Sequence, residues 1–509
     1  VLASFVAWCL LGAPEADYLA RARDWRNGAV VYQVFPDRFS PPSDPEAFKA
    51  RLKGPQIFKA WSEEPVGGRP LPEEGVYSHE LEFWGGDLEG VASRLSYIQD
   101  VGADVLYLTP VFSALTNHRY DTQDYRQIEP LLGGRPAFDR LVHTAKTRKI
   151  KVVLDGVFNH MGRSSQWFLN AKTDPESRYR NWFVFGETFP EGYRAWFGVK
   201  NLPELNVEEQ EVRRELWSGP NSVVRYWLGQ GADGWRLDVA IELGPTYLAE
   251  IRKSAHSAKP GSAVIGEISG YPSGWFDCLD GVFNFTSCRL VELSLAGRIS
   301  GGRVVDSLNQ LVQDAGVENL LKSWILVDNH DTPRLATTVP DSAERRIVQA
   351  VQFTFPGSPV VYYGSELGMT GDGDPSNRGP MRWDLATEDN QDLYWIKQLT
   401  RWRREFPSLR YGDFLSLQTD RLIAYSRQTD KLRESVIVVI NPTNERIGES
   451  FTTRLGRILS WGEVRDLVTG ETLRSVNGLL DVQLPPKSVR LFVPVTDPVH
   501  GASPYKRVP

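Results

Sequence analysis

GADGWRLDVA (231–240) and AVIGEIS (263–269) decide the fold. Each is a short, largely apolar run interrupted near its end by a carboxylate, Asp238 in the first and Glu267 in the second. A strand covered on both faces reads as a continuous apolar run rather than an alternation. Burying a carboxylate in mid-strand is costly, whereas at a strand end opening into a cleft it is hydrated or paired. Working outward, similar runs recur at VVYQVF (30–35), DVLYLTP (104–110), IKVVLDGVF (150–158), DGVFNF (280–285), SWILVDNHD (323–331) and SPVVYYGSE (358–366), making eight. Between them apolar residues repeat at spacings of three and four, as in Val91, Leu95 and Ile98, or Phe138, Leu141, Val142 and Ala145. That is the helical period. Eight alternating units predict an α/β (β/α)8 TIM barrel over 25–410, with its site at the C-terminal ends of the strands.

Two stretches depart from a plain barrel. Residues 161–206, rich in aromatic residues and proline, read as a subdomain inserted after the third strand. Beyond Tyr411 the segments RLIAYSR, SVIVVIN and SVRLFVPV alternate with turns, predicting a C-terminal antiparallel β-sandwich over 411–498 and a tail over 499–509. Of the N-terminal segment 1–24, VLASFVAWCLLGA (1–13) is too short to span a bilayer. It reads either as the remnant of a signal peptide or as a helix docked on the barrel, so both a cytoplasmic and an exported location stay open. Cys9, Cys278 and Cys288 form neither a disulfide framework nor a metal-ligand spacing; buried thiols are expected, with a Cys278–Cys288 bridge as the alternative. The net charge of -6, with basic residues scattered, argues against nucleic acid as a partner. No stretch is long and apolar enough to predict a membrane partner.

Cleaving a glycosidic bond with retention needs two carboxyls about 5–5.5 Å apart, one attacking and one donating a proton. Asp238 and Glu267 end neighbouring strands and fit that need. Arg236 lies two residues before Asp238, on the same strand face, where it is expected to hold the aspartate ionised. Asp331 ends the seventh strand, and as a further carboxylate it helps keep Glu267 protonated.

DGVFNH (155–160), GWRLDVAIE (234–242), IGEIS (265–269) and VDNHD (327–331) resemble, in order, the four characteristic blocks of the α-amylase superfamily. VVYQVFPDRF (30–39), FWGGDLEG (83–90), LPELN (202–206) and GSPVVYYGSELGM (357–369) extend the resemblance. It implies a retaining α-glycoside hydrolase with Asp238 as nucleophile, Glu267 as general acid/base and Asp331 as the third carboxylate. It also implies that Arg236, His160 and His330 hydrogen-bond the central sugar, and that Tyr120 stacks beneath it with His118 alongside. By the same resemblance Asp374 and Arg378 close the non-reducing end. Glu242, LPELN and the Asp374–Arg378 pair resemble the neopullulanase, cyclomaltodextrinase and maltodextrin glucosidase group, whose substrates are maltodextrins, cyclodextrins and pullulan.

Fewer than thirty residues precede the barrel, where that group usually carries a dimerising β domain, so a monomer with a more open cleft is expected. Ile268 stands where relatives often have Trp. Relatives bind calcium after the first strand; here DRFSPPSDP (37–45) leaves only Asp44 and Asp87 as side-chain candidates, against the six or more oxygens calcium takes, and no cofactor is expected. Structural roles are expected for Asp155, as an anchor of His160 and Arg236, for Asn159 in bracing the insert, and for Glu366 under the last strand. Trp167, Trp182, Trp196 and Phe197 are expected to form the core of the insert. Two rival functions remain: a transglycosidase or α-glucosidase using the same site, and a non-catalytic barrel, against which all three carboxylates being present argues.

Overall fold

The computed structural model describes residues 17–498 and 502–508. Eight parallel strands close into a barrel: β1 (Val31–Val34), β2 (Val105–Leu108), β3 (Lys151–Gly156), β4 (Gly234–Leu237), β5 (Ala263–Gly266), β6 (Gly281–Asn284), β7 (Trp324–Ile325) and β8 (Ser358–Tyr362). Each falls within one of the eight apolar runs. Both strand faces are buried, which is why the runs do not alternate. Val31, Val105, Val153, Ile265, Phe283, Trp324 and Val360 fill the barrel interior, while Tyr32, Leu106, Leu154, Trp235 and Leu237 pack outward against the helices.

The β3 connection carries the inserted subdomain, with Phe168, Trp182, Phe183 and Tyr193 buried in it. Trp167 and Trp182 meet edge-to-face at 4.9 Å, as expected of core residues. The C-terminal module holds β9 (Asp413–Ser416), β10 (Ile423–Gln428), β11 (Val436–Asn441), β12 (Ile447–Thr452), β13 (Gly462–Asp466), β14 (Thr472–Ser475), β15 (Leu479–Leu484) and β16 (Ser488–Pro494). These form an antiparallel sheet ordered β9-β10-β11-β16-β13-β14 and a separate β12-β15 pair. Tyr505 packs into this module, its hydroxyl accepting from Leu459 N at 3.1 Å, so part of the tail is docked.

At the other end the helix Tyr18–Arg23 is docked through Arg21, which pairs with Glu318 at 2.6 Å and Asp413 at 2.8 Å. The apolar segment 1–13, with Cys9, lies outside the described residues. Cys278 and Cys288 are free and buried, not bridged. Among the described residues no helix is long and apolar enough to cross a membrane.

Candidate active site

Polarity enters the barrel at the last inward positions of its strands. Gln33 pairs in register with Tyr107, and Asp155 with Arg236; these four follow the interior residues Val31, Val105, Val153 and Gly234 by two. One step further along the same faces stand Asp238 and Glu267, each leaving the barrel by a ladder bond, Asp238 N to Gly156 O and Glu267 N to Leu237 O.

Arg236 is fully buried and is the hub of this layer. Its Nη1 donates to Asp155 Oδ1 at 2.8 Å and to Asp238 Oδ1 at 2.8 Å. Its Nη2 stands 2.8 Å from Glu267 Oε1. Asp155 also accepts from the hydroxyls of Tyr107 at 2.6 Å and Tyr120 at 3.0 Å. Glu267 Oε2 accepts from Val239 N at 3.0 Å. Val239, immediately after Asp238, has φ 47°, a left-handed backbone that a β-branched residue adopts only when its surroundings enforce it.

Asp331 faces this group from the connection after β7. Arg378 Nη2 donates to its Oδ1 at 3.1 Å, while Arg378 Nη1 pairs with Asp374 at 3.1 Å. Gln33 Nε2 donates to His330 Nδ1 at 2.8 Å, which leaves the His330 Nε2 proton facing the Tyr120 hydroxyl at 2.6 Å. The two rings stack with centroids 5.4 Å apart.

The electrostatics follow from three acids sharing one cation. Burial pushes Asp238 well above the usual carboxylate range; Arg236 pulls it down, and Glu267 and Asp155 push it up again. Burial likewise raises Asp155 against the pull of Arg236. Arg236 thus favours the ionised form of Asp238, as expected from the sequence, while burial and the two neighbouring acids act against it. Burial drives His330 far down, with the charges of Arg378 and Arg236 adding to it. Burial, with His118 nearby, brings His160 to about 3. Both rings are therefore neutral at pH 7.

A cavity of about 1200 Å³ opens over this layer. Asp238, Glu267, Asp331, His118, Tyr120, His160, Asp374 and Arg378 line it. Arg236 and His330 do not: they lie one layer beneath, positioning the acids and Tyr120 rather than facing the space above. His118 spends both ring nitrogens inside the protein, on Glu80 at 3.0 Å and on Tyr120 N at 3.1 Å, so it braces the Tyr120 ring. His160 Nε2 is buried with no partner among the described residues. Asp155 holds Arg236 but makes no bond to His160, which instead stacks on Trp196 at 5.2 Å. Asn159 O accepts from Leu205 N at 2.9 Å, tying β3 to the end of the insert. Glu366 lies under β8, accepting from Tyr32 and Tyr97 at 2.6 and 2.8 Å.

Trp196 and Phe197 do not belong to the core of the insert; both line the cavity, and Phe197 is 82% exposed. Trp196 Nε1 donates to Glu242 at 3.1 Å, which places Glu242 on the same wall. Sequence reasoning also passed over Gln33, Tyr107 and Glu80. The first two had a signal, a polar group at an inward position of an apolar run; Glu80 had none.

Asp44 and Asp87 are far from a cage. Each caps a helix, accepting from Ala47 N at 2.9 Å and Gly90 N at 2.7 Å respectively. Among the described residues no three His, Cys, Asp or Glu gather to hold a metal.

The family described as "Alpha amylase, catalytic domain" matches residues 33–404. Neopullulanase 2 of Thermoactinomyces vulgaris is 35% identical over 483 residues, 91% of this chain and 77% of the relative. Cyclomaltodextrinase of Geobacillus thermopakistaniensis is 33% identical, over 93% of this chain and 78% of the relative. The solved cyclic alpha-maltosyl-(1→6)-maltose hydrolase of Arthrobacter globiformis, in complex with its cyclic substrate, superposes with a TM-score of 0.77 at 30% identity, covering 92% of this chain and 99% of that one.

Proposed function

The chain belongs to the alpha-amylase family of glycoside hydrolases, and on that footing we propose that it cleaves α-1,4-glucosidic bonds of maltodextrins, cyclodextrins, pullulan or starch, and α-1,6 bonds where the leaving side admits them, by a retaining double displacement. Asp238 attacks the anomeric carbon as Glu267 protonates the departing glycosidic oxygen. Glu267, then ionised, takes a proton from water, whose oxygen displaces Asp238 and regenerates both groups. Tyr120 stacks beneath the reacting sugar, and Asp331, steadied by Arg378, accepts hydrogen bonds from its hydroxyls. His160, whose Nε2 has no partner among the described residues, lines the same cavity and serves as a further hydrogen-bonding group for the sugar. Two carboxyls and water balance every proton and bond in this scheme, and no cofactor takes part.

One observation carries the proposal. Asp238 and Glu267 are both 2.8 Å from the same guanidinium, one at each Nη. Acids held on a single fork form a close pair, which favours direct attack over a water set between them. The apolar surface of Trp196, Phe197 and Ile241 beside the acids supports transglycosylation as a second outcome, since it can hold a sugar acceptor in place of water. Time-resolved product chromatography on maltotriose, pullulan and γ-cyclodextrin tests both. Hydrolysis yields shorter sugars only, transfer adds products longer than the substrate, and Asp238→Asn abolishes both. Full activity of Asp238→Asn on each substrate would contradict the assignment.

A further inference from the structure

The Asp331 side chain is 43% exposed, so its orientation depends on the donors that reach it. There is one on each oxygen. Arg378 Nη2 donates to Oδ1 at 3.1 Å, and His330 Nε2 stands 3.0 Å from Oδ2. Arg378 is anchored in turn by its Nε, which donates to the His330 carbonyl at 2.8 Å, and a guanidinium has protons on every nitrogen. His330 is different. A neutral imidazole donates from one nitrogen and accepts at the other, and its neighbours settle which. Burial keeps this ring neutral among Arg378, Arg236, Glu267, Asp331 and His118, so it has a single proton to place.

The neighbours leave one arrangement. As a carboxylate Asp155 only accepts, so the Tyr120 hydroxyl at 3.0 Å donates to it. The Tyr120 oxygen, 2.6 Å from His330 Nε2, therefore accepts from that nitrogen. Asp331 calls for a proton at the same place, so Nε2 carries it and Nδ1 is bare. The group facing Nδ1 is the Gln33 amide, whose Nε2 lies 2.8 Å away. Gln33 is buried at an inward position of β1, and its Oε1 has no partner among the described residues. A buried oxygen without a partner costs stability that an apolar side chain would not. Packing does not account for an amide here; the proton it gives to Nδ1 does.

We propose that Gln33 is a positioning residue for the reaction: by donating to His330 Nδ1 it keeps the ring proton on Nε2, and so orients Asp331 and Tyr120 around the sugar. This rests on the hydrolase function proposed above. With the amide oxygen facing the ring instead, the proton would move to Nδ1. The bare Nε2 would then confront the Asp331 carboxylate and draw the Tyr120 proton away from Asp155.

The tautomer is read directly from long-range proton–nitrogen NMR of the intact protein labelled with 15N-histidine, with His330→Asn identifying the resonances. A bare Nδ1 and a protonated Nε2 are expected; the reverse tautomer or a charged ring overturns the proposal. This measurement decides the matter if neither of the following variants folds. Gln33→Met fills the space without a donor, and kcat on maltotriose is expected to fall about 100-fold with a smaller change in KM, because contacts that tighten in the transition state act on kcat. Gln33→Glu separates the proton from the packing. While the introduced carboxyl and the ring share one added proton, Nε2 still donates; once that proton leaves, Nδ1–H faces the carboxylate and Nε2 is bare. Activity relative to the wild type is therefore expected to stand well above that of Gln33→Met at low pH and to fall as pH rises. Equal loss in both variants at every pH, a ratio flat with pH, or no loss in Gln33→Met overturns the role of Gln33 while leaving hydrolysis intact. No cleavage of maltotriose, pullulan or γ-cyclodextrin by the intact enzyme overturns the hydrolase function instead, and leaves the tautomer result standing.

Discussion

Arg236 holds Asp155, Asp238 and Glu267 on one guanidinium, and the excess of acid over base sets how the site titrates. Because the folded protein raises Asp238, the nucleophile ionises later than a free aspartate, whose value is about 3.9. The acid limb of kcat/KM on maltotriose is therefore expected to lie above that value. A limb at or below it would contradict the shared-cation arrangement. The same shift has a sign in stability. A carboxyl raised on folding binds its proton more tightly in the folded state, so its contribution is present below the unfolded value and is lost as pH rises through the folded one. Asp238→Asn should thus raise the unfolding midpoint at pH 7 by about 1–3 °C, with little gain near pH 4. Thermal unfolding at the two pH values checks this. Asp238, Glu267 and Asp331 were legible as candidates because each is charged at the end of an apolar run. That Arg236 and His330 lie beneath the cavity was not, since a residue's period along a strand gives its face but not its depth.

At the scale of the element, all eight strands were visible as apolar runs because a doubly covered strand has only one kind of sequence to offer. The connection after β1 is read from the sequence only for its side-chain oxygen ligands. Nothing in its proline- and glycine-rich sequence told that residues 70–77 reach across to Lys200, a contact between segments more than a hundred residues apart. That connection has a hydrogen-bonded frame of its own. Asp37 accepts from Trp84 N and Gly85 N, both at 3.1 Å, and pairs with Arg38, whose guanidinium lies 3.9 Å above the Trp84 ring. Gly86 is needed because a β-carbon there would meet Pro36 O at 2.3 Å. With Asp44 and Asp87 occupied as helix caps, exhaustive dialysis against EDTA is expected to change neither activity nor unfolding midpoint. A midpoint lowered by EDTA and restored by calcium would contradict this account of the loop.

Across the whole molecule, the C-terminal module is part of the same core as the barrel. Phe414, Tyr425, Val438 and Leu491 belong to the hydrophobic cluster that includes the outer barrel helices. Arg427, fully buried, donates to Thr354 O at 2.7 Å, Leu409 O at 3.3 Å and Gly412 O at 2.8 Å. Removing the module would leave the carbonyls of Thr354 and Leu409 without that donor and expose a broad apolar face. A chain ending at Tyr411 is therefore expected to be insoluble or to lack a cooperative unfolding transition. A soluble, active truncation would contradict the shared core. The module's alternating strands were legible from the sequence; its union with the barrel through one buried arginine was not, because Arg427 reads as an ordinary charged strand end.

Covalent trapping tests the central claim most directly. In Glu267→Gln an activated α-maltosyl fluoride can still glycosylate the nucleophile, because fluoride departs without a proton, while the return step lacks its base. Mass spectrometry of the proteolysed enzyme is expected to find the maltosyl group on the peptide containing Asp238. Label on another carboxylate, or release of product with inverted anomeric configuration and no adduct, would contradict the account.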